Sequence, residues 1–531
     1  MGCKRSKNVF RNYPQHLGIV AFTGIITCVL ILFMTRNPKL YASFSNNDCR
    51  QSESVINLEQ NNDNDDEYSS PVWTRISDSI HVYSAHFDPR IIHGPHFSIF
   101  SPDYSWKMRT SNLHKSSLVR IIGIRRFPPT ATIIARNPMA WLLIKDETLF
   151  SDDHECKLFL ANGSTFSSAV LTYHVVEEGI KTFAASFFNC YFDLEGNDDL
   201  FRGGFVALVP KNEGEYPLKL LKIQNTRRPD VVSPQNVKNL SLAICTRPLF
   251  SSPEGDFALV RKLTQFISYY VALGVNFFTF YELSTFPGVR KYLRELRRRQ
   301  DFRHNFRLHV QKWNLPTGNT SELWDYGSLA ALNDCLYRNM WADHVLFLDL
   351  DEFIVPQKEH SLGQLINYLE EKSGSKNRLS ISPPQILIRN TFFCSEFCSA
   401  TGENTVTSAT LEDTFPITTC RTRTKRVWHA KLRTKFILRP TLSISVGHHT
   451  AHNFWRNSSN SGRRTDDKVE VYQDPRQQNS IIADVGVALL NHYRECGPIS
   501  TKKQPILNRL TIKDEKIVRI LKQRNFKWLR Y

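Results

Sequence analysis

Residues 344–356 read His-Val-Leu-Phe-Leu-Asp-Leu-Asp-Glu-Phe-Ile-Val-Pro, and this stretch constrains the fold more than any other. Four apolar residues, Val345 to Leu348, run directly into Asp349, Asp351 and Glu352. A short continuous apolar run suits a strand buried on both faces of a parallel sheet. Carboxylates at its C-terminal end fall where open α/β sheets place ligand crevices. On an ideal strand Asp349 and Asp351, two apart, share a face. Like charges that close repel each other and are costly to bury without a cation. A hard divalent ion would relieve both penalties and hold a diphosphate. The pattern predicts a metal-dependent enzyme acting on a phosphorylated donor.

The N-terminus sets the topology. Residues 17–35 carry no charge. At about 1.5 Å per residue they extend roughly 28 Å, enough to cross a bilayer core. Lys4, Arg5, Lys7 and Arg11 precede the span, whereas acids dominate soon after Arg36 and Lys39. The charge bias places residues 1–16 in the cytosol and the rest in the lumen, as a single-pass type II protein. A cleaved signal peptide is the alternative, but its apolar core is normally about 7–15 residues. The short span favours a Golgi membrane over the cell surface. The 531 residues, 41% hydrophobic, suffice for two or three domains. The net charge of +17 includes a basic helix near 288–299. Lumenal topology rules out nucleic acid as its partner, and a solvated face is the default reading.

Eleven cysteines include Cys3 and Cys28 in the tail and span, which leaves nine in the lumenal part. An oxidising lumen permits disulfides, and an odd count leaves one cysteine over. Cys49 is the candidate for a disulfide-linked homodimer. Cys394 and Cys398 read as disulfide cysteines rather than half a metal site, since no second pair at zinc spacing accompanies them. Sequons at Asn162, Asn239, Asn319 and Asn457 agree with a lumenal glycoprotein.

Along the chain, residues 36–70 are polar and acidic and read as a flexible stem. Residues 71–239 show short β-like runs at 117–124, 130–136, 168–176 and 203–209, hence a β-rich domain. From 240 to 500 the pattern alternates. Strand-like runs at Leu240–Cys245, Asn276–Tyr281 and Leu308–Val310 are separated by helical patterns at 256–274 and 288–299. A helix at 322–340 then leads to the Asp349 strand. The first helix carries Phe257, Val260, Leu263, Ile267, Tyr270 and Val271 on one face. Strand–helix alternation predicts an α/β fold with a mostly parallel sheet. Residues 501–531 form a tail with helical character near 513–524.

Several segments occur together in order. They are Arg247-Pro-Leu-Phe250; Tyr270-x-x-Leu-Gly-Val275, with Phe278 and Tyr281; Trp313-x-x-Pro316; and Gly327-x-x-x-Ala331-Leu-Asn-Asp-Cys335-Leu-Tyr-Arg338. Asp349-x-Asp351-Glu-Phe-Ile354-x-Pro356, Arg433-Thr-Lys435 and His492-Tyr-Arg494 follow. In this order the chain resembles glycosyltransferase family 92 over roughly 240–500. The resemblance implies a GT-A-like nucleotide-sugar-binding fold and inverting transfer from a nucleotide-sugar donor to a glycoprotein glycan. It also implies Mn²⁺ or another divalent cation held by the acidic motif. In the family galactose is added to glycans, including to fucose of N-glycan cores, so UDP-galactose is the expected donor. On this reading Asp351 is a direct metal ligand, and Asp349 contacts metal or donor. Glu352 orients its neighbours. His492 is a third ligand, with His448 and His449 as competitors for that role. Lys435 meets the diphosphate and Tyr281 stacks on the donor base. An inverting transfer needs a carboxylate to take the acceptor proton; Glu396 and Asp413 lie in the irregular region after the acidic strand with nothing to set either apart, and Glu396 is taken as the candidate base.

Two other readings remain. A dehalogenase-like phosphatase would continue D-x-D-x-Thr/Val, but Phe353 stands at that last position. A non-catalytic lumenal glycan-binding protein on the same fold is the alternative to transfer.

Overall fold

The computed structural model describes residues 72–92, 116–127, 148–149, 154–177, 181–194, 203–211, 218–224, 240–298, 306–317, 320–373, 383–400, 416–430, 432–454, 480–496 and 511–523. The apolar span 17–35, Cys49, the run 130–136 and the sequons at Asn239, Asn319 and Asn457 lie outside them. No helix among the described residues is long and apolar enough to cross a membrane. The described residues belong to one compact unit, Glu67–Tyr531.

Alternation along the central strands builds a mixed α/β architecture. Leu242–Cys245, Phe277–Ser284, Arg307–Lys312 and His344–Phe347 form a parallel set in the order 307–312, 277–284, 242–245, 344–347. Lys435–Leu438 and Gln385–Ile388 extend it beyond His344–Phe347 by antiparallel pairing. Leu242, Ile244, Phe278, Phe280 and Leu346 face one core, against the helices Asp256–Ala272, Pro287–Arg298 and Leu362–Lys372. Their neighbours Ala243, Cys245, Phe277, Tyr281, Val345 and Phe347 face a second core under the helix Ser328–Arg338. The two-residue period thus makes both faces apolar, as a sheet covered on each side requires.

Helix boundaries follow local chemistry. Gly274, at φ +95°, stops the first helix in the left-handed region that side chains disfavour. Asp256, at its start, accepts from the Gly288 and Val289 amides and so caps the following helix. Phe257, assigned by periodicity to the buried face, is 63% exposed. It lies in the first turn, where the helix has not yet reached the sheet.

The β-rich part is a ten-stranded sheet. Its long central strands are Ile80–Ile92, Ser116–Arg126 and Phe183–Phe192, paired antiparallel. It is not separate from the α/β part. Trp73, Tyr83, Ile122 and Phe187 share the second core with Tyr281, Trp313, Leu329 and Tyr337. Each apolar side chain fully buried there contributes roughly 1.5–3 kcal/mol relative to an exposed position. Polar groups seal the same seam. Asp334 on the Ser328–Arg338 helix accepts from Ser84 and lies 2.7 Å from the His86 imidazole. Its other oxygen accepts from Tyr281 and Arg338, both at 2.6 Å.

A three-stranded sheet, Glu352–Pro356, Ala488–Arg494 and Asn390–Cys394, completes the fold. Its register sets His492 opposite Glu352 on one side and Phe392 on the other. Disulfides join Cys156 to Cys190, Cys245 to Cys335 and Cys394 to Cys496, and Cys420 is disulfide-bonded as well. Cys394 therefore pairs across parallel strands rather than with Cys398. Asn162 sits in an exposed turn beside Gly163.

Candidate active site

The apolar strand ends at Phe347, and Leu348–Asp351 form a turn before the next strand begins at Glu352. Asp349 and Asp351 therefore do not share a strand face, as the ideal spacing predicted, although both line one cavity. The turn is closed by the Glu352 amide, which donates to the Asp349 carbonyl at 3.1 Å. The Glu352 side chain in return accepts from the Asp349 amide at 2.8 Å.

Asp349 meets two cations. Arg247 Nε donates to one oxygen at 2.7 Å and Lys435 Nζ to the other at 2.9 Å. Burial opposes ionisation of Asp349, but Lys435 and Arg247 outweigh it and hold the carboxyl well below the usual range. Arg247 is placed by the end of the strand Leu242–Cys245. Its second contact, Nη1 to Asp325 at 3.0 Å, bridges to another segment.

Asp351 meets a histidine instead. Its carboxylate lies 3.4 Å from His492 Nε2. His492 Nδ1 lies 3.5 Å from Glu352 and 3.3 Å from the Asn390 amide nitrogen. Glu352 is buried and its carboxyl is pushed up, mainly by desolvation, with Lys435 at 3.2 Å opposing. A buried carboxylate behind a histidine nitrogen fixes the ring and leaves the opposite nitrogen to face a ligand.

Asp325 occupies a tight turn. Asp325, Tyr326 and Gly327 have φ of 43°, 58° and 70°, three successive left-handed residues of which only one is glycine. Such strain persists where packing over-determines it and is concentrated at functional sites. Here Ser328 Oγ donates to Asp325 at 2.9 Å and His448 lies 3.4 Å from it. Burial raises the Asp325 pKa, but His448 and Arg247 more than reverse this and bring it down to about 2.

Two adjoining cavities share Arg247, Asp325 and Asp349. One, of about 330 Å³, is lined by Thr246–Phe250, Leu259, Lys262, Tyr326 and Asp351. Phe250 and Tyr326 face each other there at 4.9 Å between ring centres. The other, of about 550 Å³, is lined by Glu352, Asn390, Arg433, Lys435, His448, His449 and His492. The β-rich sheet reaches this second cavity through Lys181, which lies 5.7 Å from the centre of the Trp324 ring.

The predicted residues therefore separate. Asp349, Asp351, Glu352, Lys435 and His492 converge. His448 and His449 line the same cavity, but His448 is engaged with Ser328 and Asp325, and His449 with the Thr434 carbonyl. Tyr281 is a correction: it is fully buried, its hydroxyl bound to Asp334 and its ring against Trp313, so no face is left for a base. Its position in the strand puts it on the same side as Phe277, toward the inner core. Glu396 accepts from the Cys496 amide at 2.8 Å and is not among the residues lining the two cavities.

The donor set fits a divalent cation. Asp351 Oδ2 and His492 Nε2 are close enough for one ion to bind both, and a carboxylate with an imidazole suits Mn²⁺ or a similar ion. Of the four carboxylates at the cavities, Asp325, Asp349 and Glu352 each contact Arg247 or Lys435, whereas Asp351 is paired with His492. Both oxygens of Asp349 are already engaged by cations, which leaves Asp351 and His492 as the better-placed pair. The other convergent group among the described residues, Cys394, Glu396 and Cys496, offers no thiolates because its sulfurs are bonded to each other.

Sequence reasoning gave no role to Arg247, Asp325, Phe250, Tyr326 or Lys181. Arg247 stands directly after a parallel strand, where a crevice residue is expected. Asp325 carried no such signal, since its place depends on the turn around it. No curated protein matches the chain. The family model for glycosyltransferase family 92 matches residues 241–525, a span that holds both cavities and all of the converging residues except Lys181, and the chain belongs to that family.

Proposed function

We propose that this glycosyltransferase is metal-dependent and inverting, and moves galactose from UDP-galactose to glycoprotein glycans, core fucose among the acceptors. The proposal takes the mixed sheet as a GT-A-type nucleotide-sugar fold. It places the chain in the Golgi membrane as a single-pass type II protein with its catalytic part in the lumen. The pairing of Asp351 with His492 at 3.4 Å, beside two adjoining cavities, is the observation that carries it.

Asp351 and His492 would hold Mn²⁺, and Glu352 would keep the His492 ring in place. The bound ion would supply a positive charge to the donor diphosphate and to the leaving nucleotide. Arg247 and Lys435, fixed by Asp349, add cationic donors aimed at the same region. The smaller cavity suits the nucleoside, because Phe250 and Tyr326 offer an aromatic shelf and Pro248 and Leu249 an apolar wall. The larger cavity, open to the β-rich sheet, suits the acceptor.

The test is UDP release by the full-length protein in detergent, across a panel of UDP-sugars, with Mn²⁺ or chelator and a mixed N-glycan acceptor pool. Metal-dependent release with UDP-galactose, lost in a folded Asp351→Ala variant, supports the proposal. Release with a different donor corrects the sugar. No release with any donor or acceptor favours the glycan-binding alternative.

A further inference from the structure

Beside His492 three arginines alternate with two aromatic rings, and one of them, Arg433, lines the larger cavity. The Arg426 guanidinium lies 3.9 Å from the Trp428 ring centre. Arg433 lies 5.2 Å from Trp428 and 5.7 Å from Phe392, and Arg494 lies 5.3 Å from Phe392. The two rings are 5.6 Å apart, and Phe392 meets the His492 ring edge-on at 5.5 Å. Arg426, Arg433 and Arg494 are exposed, and among the described residues none of them pairs with a carboxylate. This contrasts with Arg247, Arg338, Arg423 and Arg439, each of which has an acidic partner.

The row is built into the fold. His492 and Arg494 are two apart on one strand and so share a face. That strand is tied to the Phe392 strand by paired register and by the Cys394–Cys496 bond. Trp428 is fixed at both ends: its amide donates to the Asn390 carbonyl at 2.9 Å, and its carbonyl accepts from Arg389 at 3.1 Å. Arg433 has a φ of 56°, and its carbonyl accepts from the Asn390 side chain at 3.1 Å. A left-handed arginine is backbone strain spent on aiming one side chain. Aromatic rings within cation–π reach hold guanidinium groups in place, Arg494 is further tied by its Nε–H to the Glu495 carbonyl at 3.1 Å, and a fixed guanidinium suits recognition of a planar anion.

We propose that Arg426, Trp428, Arg433, Phe392 and Arg494 form an acceptor subsite for an anionic sugar, one bearing a carboxylate or a sulfate ester. This inference rests on the transferase reading of the cleft and deepens it by naming an acceptor class. The diphosphate is served by Arg247 and Lys435 at Asp349, which leaves this second row for the acceptor. Its aromatic edges suit the apolar faces of a sugar ring.

Titration calorimetry on the full-length protein in detergent, with 3′-sialyllactose, lactose 3′-sulfate and lactose, tests it. Either anionic sugar should bind at least about tenfold tighter than lactose, the effect of one added charge-assisted contact. Whichever anion binds names the source. The Arg426→Gln/Arg494→Gln variant should lose the preference, while Arg426→Lys/Arg494→Lys should keep part of it as point charges. Equal binding of lactose overturns the inference. So does a preference that survives the glutamine variant, or capture by phosphatidylserine vesicles without discrimination among the sugars. UDP release is measured on the same preparation. Release without anion preference overturns the subsite alone. Anion preference with no release from any donor overturns the transferase reading and leaves the subsite standing.

Discussion

Two clusters in this molecule use the same residue types for different ends. At the seam between sheets, Asp334 gathers Ser84, His86, Tyr281 and Arg338, and neither Asp334 nor His86 has any exposed surface. At the cleft, Asp325, Asp349, Asp351 and Glu352 gather Arg247, Lys435, His448 and His492 around two cavities. In the first, both oxygens of the acid are taken and nothing adjoins but packed side chains. In the second, Asp351 faces a histidine rather than a permanent cation and keeps 31% of its side-chain surface open. What separates a functional cluster from a structural one here is unfilled coordination beside empty volume, not the presence of Ser, His and Asp together.

The largest expected effect breaks the seam. Asp334→Ala should destabilise by about 3–5 kcal/mol, because it strands Arg338 and His86 in a buried site. Urea denaturation measures this, and a loss below about 1 kcal/mol would show that the seam is not held by this network. At the cleft, Asp351→Ala should lower metal-dependent UDP release by about 10²–10³-fold, the scale of removing one transition-state charge contact. Its melting temperature should stay near that of the parent, and a matching fall in stability would erase the distinction between the clusters. Glu352→Gln should act more gently and raise the Mn²⁺ concentration needed for half-maximal release by about 10–100-fold, the scale of a lost orienting partner.

Acid should touch both clusters. Asp325, Asp334 and Asp349 all have folded-state pKa values below their unfolded ones. The stability they add is complete above about pH 4, the usual unfolded carboxylate value, and is lost as pH falls further. For Asp325 the loss should centre between about 4 and about 2. A pH series of thermal melts on the parent and on Asp325→Asn should show the parent's advantage vanishing in that window. The smallest effect is expected for Glu396→Gln. It touches the Cys496 amide and no cavity, so UDP release should stay within about twofold of the parent and stability should fall by less than about 1 kcal/mol. A hundredfold loss of release would return Glu396 to the general-base role.

Much of the layering was legible in the chain. Two-residue alternation through Phe277–Tyr281 and Val345–Leu348 marks a sheet covered on both sides, and the acidic turn after Phe347 marks a crevice. His492 was found because a polar residue closes an apolar strand. The errors share one cause, which is that distance along the chain does not give direction in space. Tyr281 ends the expected run but lies inside the strand Phe277–Ser284 and points inward, and Asp349 and Asp351 lie in a turn rather than on a strand. Asp325 was invisible because its position depends on three left-handed residues, which no composition or period encodes.

The shared core of Trp73, Tyr83, Phe187, Trp313 and Tyr337 bears on inheritance. The family match begins at residue 241, in the middle of this packed layer. A chain cut there would expose a face of large aromatic rings and lose Lys181 from the cavity wall. The β-rich sheet is thus not an exchangeable attachment that could be shuffled onto another enzyme. A change of side-chain volume on one side of the layer alters the packing of the other.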